Sequence, residues 1–163
     1  MLYLYRVNCI EDFDFFLNLK SQKDAIKWSG FDSAPDPISF KQYFIDKILN
    51  DSNAYVYYLK DDKDDIPMGY IQFNKETDET VEGRGTNILK PYQGCGLLEE
   101  MTQLMFEEAR KEGFKYMYTY ASEKNQLAIH NLIINGYEKT EIYELRSMMA
   151  QEEHKFYKWV KQL

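Results

Sequence analysis

Cysteine and histidine are both scarce in this chain, with two of each in 163 residues. Cys9 and Cys95 are too few for a disulfide framework. His130 and His154 stand alone, so no Cys/His cluster has the spacing of a zinc site. No apolar run approaches the ~20 residues of a membrane span. The amino terminus, Met1 to Arg6, shows no basic stretch followed by an apolar one, so neither a membrane span nor a signal peptide is expected. A reducing, cytoplasmic setting is the default for such a chain. Positive charge is also short. Lys and Arg total 20 against 27 Asp and Glu, a net charge of −7, which repels a phosphate backbone and argues against a nucleic-acid partner. No repeat, linker or low-complexity tract interrupts the chain, and residues 1–163 read as a single domain.

Aromatic residues are plentiful, with 14 Tyr and 10 Phe, and they suit half-buried strands. Leu2 to Val7 reads as a first strand and Ile10 to Leu19 as a helix, with Lys23 to Trp28 as a short second piece. Ser29 to Pro37 is rich in turn formers. Ser39, with Gln42 three residues on, predicts a capping box opening a helix that buries Phe40, Tyr43, Phe44, Ile48 and Leu49. Ala54–Lys60, Ile66–Asn74 and Thr80–Leu89 read as strands. Gly83 and Gly85 inside the last of these suggest a bulge or a close backbone neighbour. A helix then runs to about Glu112, with Leu97, Met101, Leu104, Met105 and Ala109 on one face, a Glu107–Lys111 pair on another, and Gly113 ending it. Phe114–Ala121 is a strand and Asn125–Asn135 a helix stopped by Gly136. Tyr137–Arg146 and Lys155–Lys161 close the chain as strands. The mixture predicts an α+β fold on one mostly antiparallel sheet.

The informative segment is the glycine loop from Pro91 to Gly96, which joins a strand to a long helix. First-turn N–H groups of a helix lack intrahelical partners, and the helix dipole adds partial positive charge there. Such a place accepts a phosphate or pyrophosphate, although a plain strand-to-helix turn would look similar. The loop is neither G-x-x-x-x-G-K-[ST] nor G-x-G-x-x-G with an acidic residue one βα unit later.

Gln93-Gly94-Cys95-Gly96-Leu97-Leu98 resembles the [QR]-x-x-G-x-[GA] loop of the GNAT acetyltransferases, with Leu98 where Gly or Ala is usual. Downstream, Asn125, Ala128, Ile129, Gly136 and Tyr137 fall in register with that family's N-x-x-A-I…G-[FY] helix, and Pro67-Met68-Gly69-Tyr70-Ile71 is like its third strand. The resemblance covers about residues 54–147. It implies a twisted sheet of about seven strands with about four helices, splayed between the fourth and fifth strands. It further implies acetyl-CoA as donor. Ile88 and Leu89 would bond the pantetheine arm like an added strand, Gly94, Cys95, Gly96, Leu97 and Leu98 would hold the pyrophosphate beside Gln93, and Asn125 would contact the pantetheine. The acceptor would be a small-molecule, amino-sugar or peptide amine, and a homodimer is left open.

Acetyl transfer to an amine needs a neutral nucleophile, a stabilised oxyanion and a proton for the leaving thiolate. The family's frequent tyrosine acid is Leu132 in this chain, and a fifth-strand Glu used by ribosomal-protein acetyltransferases is Tyr120. Tyr120 is a poor base near neutral pH but can order water or donate a proton. Glu82 is the candidate base, although a solvated strand carboxylate would look the same. Trp28 and Phe31, near Asp32 and Asp36, are candidates to line the acceptor pocket, as the resemblance places that pocket on the first helices and their loop. These departures also leave open a non-catalytic acyl-CoA-binding or regulatory module.

Overall fold

Side chains alternate across an extended chain, so a strand that is apolar at nearly every position must be covered on both faces. The computed structural model, which describes residues 1–29, 33–148 and 152–163, shows what covers them. The strands are β1 (Leu2–Arg6), β2 (Ala54–Asp61), β3 (Pro67–Lys75), β4 (Thr80–Ile88), β5 (Tyr116–Ser122), β6 (Glu138–Ser147) and β7 (Glu153–Gln162). The helices are α1 (Phe13–Lys20), α2 (Lys23–Ser29), α3 (Pro37–Phe44, prolonged by a π turn over Ile45–Leu49), α4 (Leu97–Lys111) and α5 (Gln126–Ile134). Five helices thus stand where about four were expected. The strands form one sheet in the order β1-β2-β3-β4-β5-β7-β6, with β4 beside β5 the parallel pair.

The alternation sorts the core into two layers. Tyr57 and Leu59 of β2, with Ile71 and Phe73 of β3, pack under Met101, Met105, Phe106 and Ala109 of α4. Val56 and Tyr58, with Tyr70, pack on the opposite side against Phe13, Phe16 and Leu19 of α1 and Phe40 and Phe44 of α3. Contact between β3 and α4 is close at Gly69. A Cβ added there would stand 2.9 Å from both Ile88 Cδ1 and Met101 Sδ and 3.1 Å from the Asn87 carbonyl oxygen. Gly69→Ala is therefore expected to cost about 1–3 kcal/mol by overpacking. The urea midpoint should fall with the slope unchanged; a wild-type midpoint would show that α4 yields without cost.

Three local expectations are corrected. The N-cap of α3 is Asp36, not Ser39: the Asp36 carboxylate accepts the Ser39 N–H at 2.9 Å, and Pro37 takes the first helical position. The hydrogen bond from the Ser39 N–H is the main influence holding the Asp36 carboxyl below its ordinary range. Tyr43 is 42% exposed and stacks on Phe40 rather than entering the core. Lys111 reaches Glu108, at 4.0 Å, rather than Glu107. The ends of α4 and α5 follow the glycines, with φ +93° at Gly113 and +83° at Gly136.

The site is positioned by the parting of β4 and β5. Gln72 pairs with Gly85 but Phe73 pairs with Gly83, so Arg84 is the extra residue of a bulge. A bulge bends and twists its strand. Meanwhile β5 is paired with β7 along its whole length, from Tyr116 to Ser122, and does not follow. The parallel ladder therefore stops after Thr80–Tyr116, Val81–Met117 and Glu82–Tyr118. One side-chain bond extends it, from Thr119 Oγ1 to the Gly83 carbonyl at 3.0 Å. Beyond this point the strands diverge.

Candidate active site

The gap between the diverging strands opens into a cavity of about 1160 Å³, which the glycine loop and the start of α5 also line. At the loop, Gly94 (φ +81°) and Gly96 (φ +82°) hold left-handed backbone that L side chains rarely adopt. Gly96 is also the N-cap of α4 and has no side chain to cap the first turn. Among the described residues, the N–H groups of Gly94, Cys95, Gly96, Leu97 and Leu98 meet no acceptor in the chain. A Cβ built on Gly94 or Gly96 meets nothing within 4 Å. Five donors at a helix N-terminus, approached over bare backbone, fit an anion with several oxygens. Neither Glu99 nor Glu100 lines the cavity, so the two acidic residues of the first turn leave it clear.

The sequence-chosen residues divide by geometry. Ile88, Gln93, Gly94, Gly96, Leu97, Leu98 and Asn125 line the cavity. Cys95 and Leu89 do not. The Cys95 thiol turns back to the Tyr92 carbonyl, 2.9 Å away, leaving only its backbone N–H for a ligand. Leu89 is corrected as an added-strand partner, because its N–H donates to Met68 O at 2.8 Å and its carbonyl accepts from Tyr92 N–H at 2.8 Å. In an antiparallel ladder paired residues alternate in which way their polar groups point. The Leu89–Met68 bond makes Ile88 and Thr86 the residues whose backbone groups face away from β3, into the gap. The Gln93 side chain stitches two elements together, donating to the Ile88 carbonyl at 2.9 Å and to Asp24 of α2 at 3.0 Å. Asn125 caps α5 by accepting the Ala128 N–H at 3.2 Å, and its amide NH2 remains a donor at the cavity wall.

At the fork itself, Glu82 occupies the last parallel rung and Tyr120 lies two residues past the opposite one. Both line the cavity. Glu82 is 24% exposed and stands 3.5 Å from Arg84. Burial raises the Tyr120 hydroxyl above its ordinary pKa, Glu144 and Glu82 add to the shift, and Arg146 opposes it. Arg146 lies over the Tyr120 ring at 5.3 Å. A phenol shifted in that direction keeps its proton and can donate a hydrogen bond. Trp28 lines the cavity from α2. Phe31 lies outside the described residues. Leu132 lines the wall as well and brings no proton.

Sequence reasoning missed Lys20, Gln72, Arg84 and Arg146 in this wall. The Lys20 Nζ donates to Asn87 Oδ1 at 3.0 Å and lies 4.1 Å from the centre of the Tyr70 ring. Burial alone lowers its pKa to about 8. The polar wall continues from the Tyr70 hydroxyl to Gln72, and from Gln72 to Asn74 at 2.8 Å.

The sequence profile of the acetyltransferase (GNAT) family matches residues 21–136. Spermidine N-acetyltransferase of Vibrio cholerae, solved with CoA and spermine, superposes with a TM-score of 0.83 at 13% identity, over 99% of this chain and 95% of its own. Aminoglycoside acetyltransferase AAC(6')-Ib in complex with coenzyme A gives 0.75 at 15% identity, over 99% and 95%. YncA of Salmonella typhimurium, solved with acetyl-CoA, gives 0.75 at 16% identity, over 100% and 94%. No curated protein sequence matches the chain significantly.

Proposed function

The chain belongs to the acetyltransferase (GNAT) family, and from that premise we propose that it moves an acetyl group from acetyl-CoA to a primary amine. The observation that carries this reading is the set of five unpartnered amides, Gly94 to Leu98, at the mouth of a cavity formed where β4 leaves β5. In the proposal these amides hold the CoA pyrophosphate, and the backbone N–H of Ile88, whose carbonyl already accepts from Gln93 and Gln22, and the side-chain amide of Asn125 bond the pantetheine arm. The thioester then lies at the fork. Solved relatives carry CoA beside spermine, or beside ribostamycin, which supports an amine acceptor.

The chemistry follows from the groups at the fork. The amine nitrogen attacks the thioester carbonyl, the C–N bond forms, and the C–S bond breaks through a tetrahedral oxyanion. Glu82, directly or through water, takes the proton the amine loses. Tyr120, held protonated by burial and by the Glu144 and Glu82 carboxylates, gives a proton to the departing thiolate.

Two measurements test the proposal. CoA at 100 times its Kd should stabilise the fold by about 2.7 kcal/mol, read as a thermal shift. Acetyl-CoA with a panel of primary amines should release free thiol faster than acetyl-CoA alone. No shift at millimolar CoA rejects the site. A saturable shift without thiol release on any amine would favour an acyl-CoA-binding module, the reading that Leu132 in place of a tyrosine acid supports.

A further inference from the structure

We propose that the acceptor carries an anionic group close to its amine, and that Lys20 receives that group. The inference rests on the acetyltransferase reading and names the acceptor class within it, a compact amino-acid-like molecule bearing a carboxylate or phosphonate. It starts from the charges of the cavity wall. Arg84 has Glu82 at 3.5 Å, Arg146 has Glu144 at 2.8 Å, and Asp24 accepts from Gln93. Lys20 differs. Among the described residues it makes no ion pair, and its ammonium is held by one neutral amide oxygen and the face of Tyr70. Lys20 is half-buried at the cavity wall, and an ammonium partly withdrawn from water without a counter-charge is costly, the direction in which its pKa is lowered. A lysine needed only for packing would be served better by methionine. A charge kept there is balanced when an anion arrives.

Position sets the spacing. The Lys20 Nζ lies 3.7 Å from where a Cβ on Gly85 would stand. Gly85 is two residues along β4 from Gly83, where the last tie to β5 is made. Because Arg84 is bulged, Gly85 and Gly83 face consecutive residues of β3, and the step is shorter than the roughly 7 Å of two regular strand residues. An amine at the fork and an anion at Lys20 are therefore bridged by a few bonds. The absent side chain at Gly85 leaves the ammonium open to such a ligand. Gln72 and Arg84, on the same wall, offer further donors.

The test uses the full chain and matched acceptors: α- and β-amino acids, their primary amides, and aminoalkylphosphonates, with spermidine as a cationic control. The acid or phosphonate member of a pair should show a kcat/KM at least ten times that of the amide. Lys20→Met should abolish the preference by raising the acceptor KM at least tenfold, with the acetyl-CoA KM unchanged and the urea midpoint at or above wild type. Lys20→Arg should keep part of the preference. Equal use of acids and amides, or turnover of spermidine but of no amino acid, overturns the inference and leaves the acetyltransferase reading standing. So does a Lys20→Met effect confined to the acetyl-CoA KM, which would give Lys20 to the donor. Absence of any CoA-induced thermal shift is the separate result that would remove the underlying reading.

Discussion

Gly96→Asp is expected to raise the KM for acetyl-CoA by about 10- to 100-fold, at a cost to the fold of about 1–2 kcal/mol. Gly96 has φ +82°, where a residue with a Cβ costs about that much. An aspartate replacing an N-cap glycine recovers only about a few tenths of a kcal/mol through first-turn N–H groups. The added Cβ itself meets nothing within 4 Å, so no clash enters the sum. The effect on ligand binding is one-sided. The introduced carboxylate competes for the amides proposed to hold the pyrophosphate, and it repels that group. Losing one charge-assisted hydrogen bond of about 1.5–3 kcal/mol accounts for a change of this size. Gly96→Ala separates strain from charge, since it carries the same backbone cost without the carboxylate and should raise KM far less. Thiol-release kinetics give KM and urea denaturation gives stability. A wild-type KM in Gly96→Asp would mean that the loop holds no phosphate.

The loop was legible because glycine acts locally: Gly94 and Gly96 marked the bare helix start, and Gly83 and Gly85 inside a strand pattern suggested an irregularity that is the bulge at Arg84. The parting of β4 from β5 was expected only from the family resemblance of the loop and the α5 segment. What stayed hidden depended on register and on distant packing. Whether Leu89 or Ile88 faces the gap turns on the phase of the β3–β4 ladder, which the bulge at Arg84 and the Met68–Leu89 bond set together. Two overlapping signals competed at α3. Ser39 with Gln42 imitates a capping box, but Asp36 before Pro37 is the pair that starts the helix, because proline suits the first helical position. Lys20, in the last turn of α1, looks in sequence like an ordinary cation complementing the helix dipole. Only the seating of α1 over Tyr70 and Gly85 turns its ammonium into the cavity wall. Arg146 arrives from β6, far along the chain, and no local pattern places it over Tyr120.

Glu82→Gln is expected to lower kcat by about 100-fold or more, with the KM for acetyl-CoA unchanged, since general-base catalysis contributes that much. The substitution keeps the size and one acceptor oxygen of the side chain and removes its ability to hold a proton. Loss of structure is not a competing explanation. The pair with Arg84 spans 3.5 Å and Arg84 is 51% exposed, so the ion pair is screened and contributes little to stability. The β3–β4 ladder around Glu82 is bonded through its backbone, which the change leaves alone. A second readout follows from the coupling between the two groups at the fork. The Glu82 carboxylate is among the charges that raise the Tyr120 pKa, so Glu82→Gln should move tyrosinate formation at Tyr120 to lower pH, detectable by ultraviolet difference titration against Tyr120→Phe. That shift makes Tyr120 a slightly better acid and so cannot be the cause of a slower reaction. An unchanged kcat, with the Tyr120 titration displaced as expected, would show that Glu82 shapes the field at the fork while solvent water takes the proton of the amine.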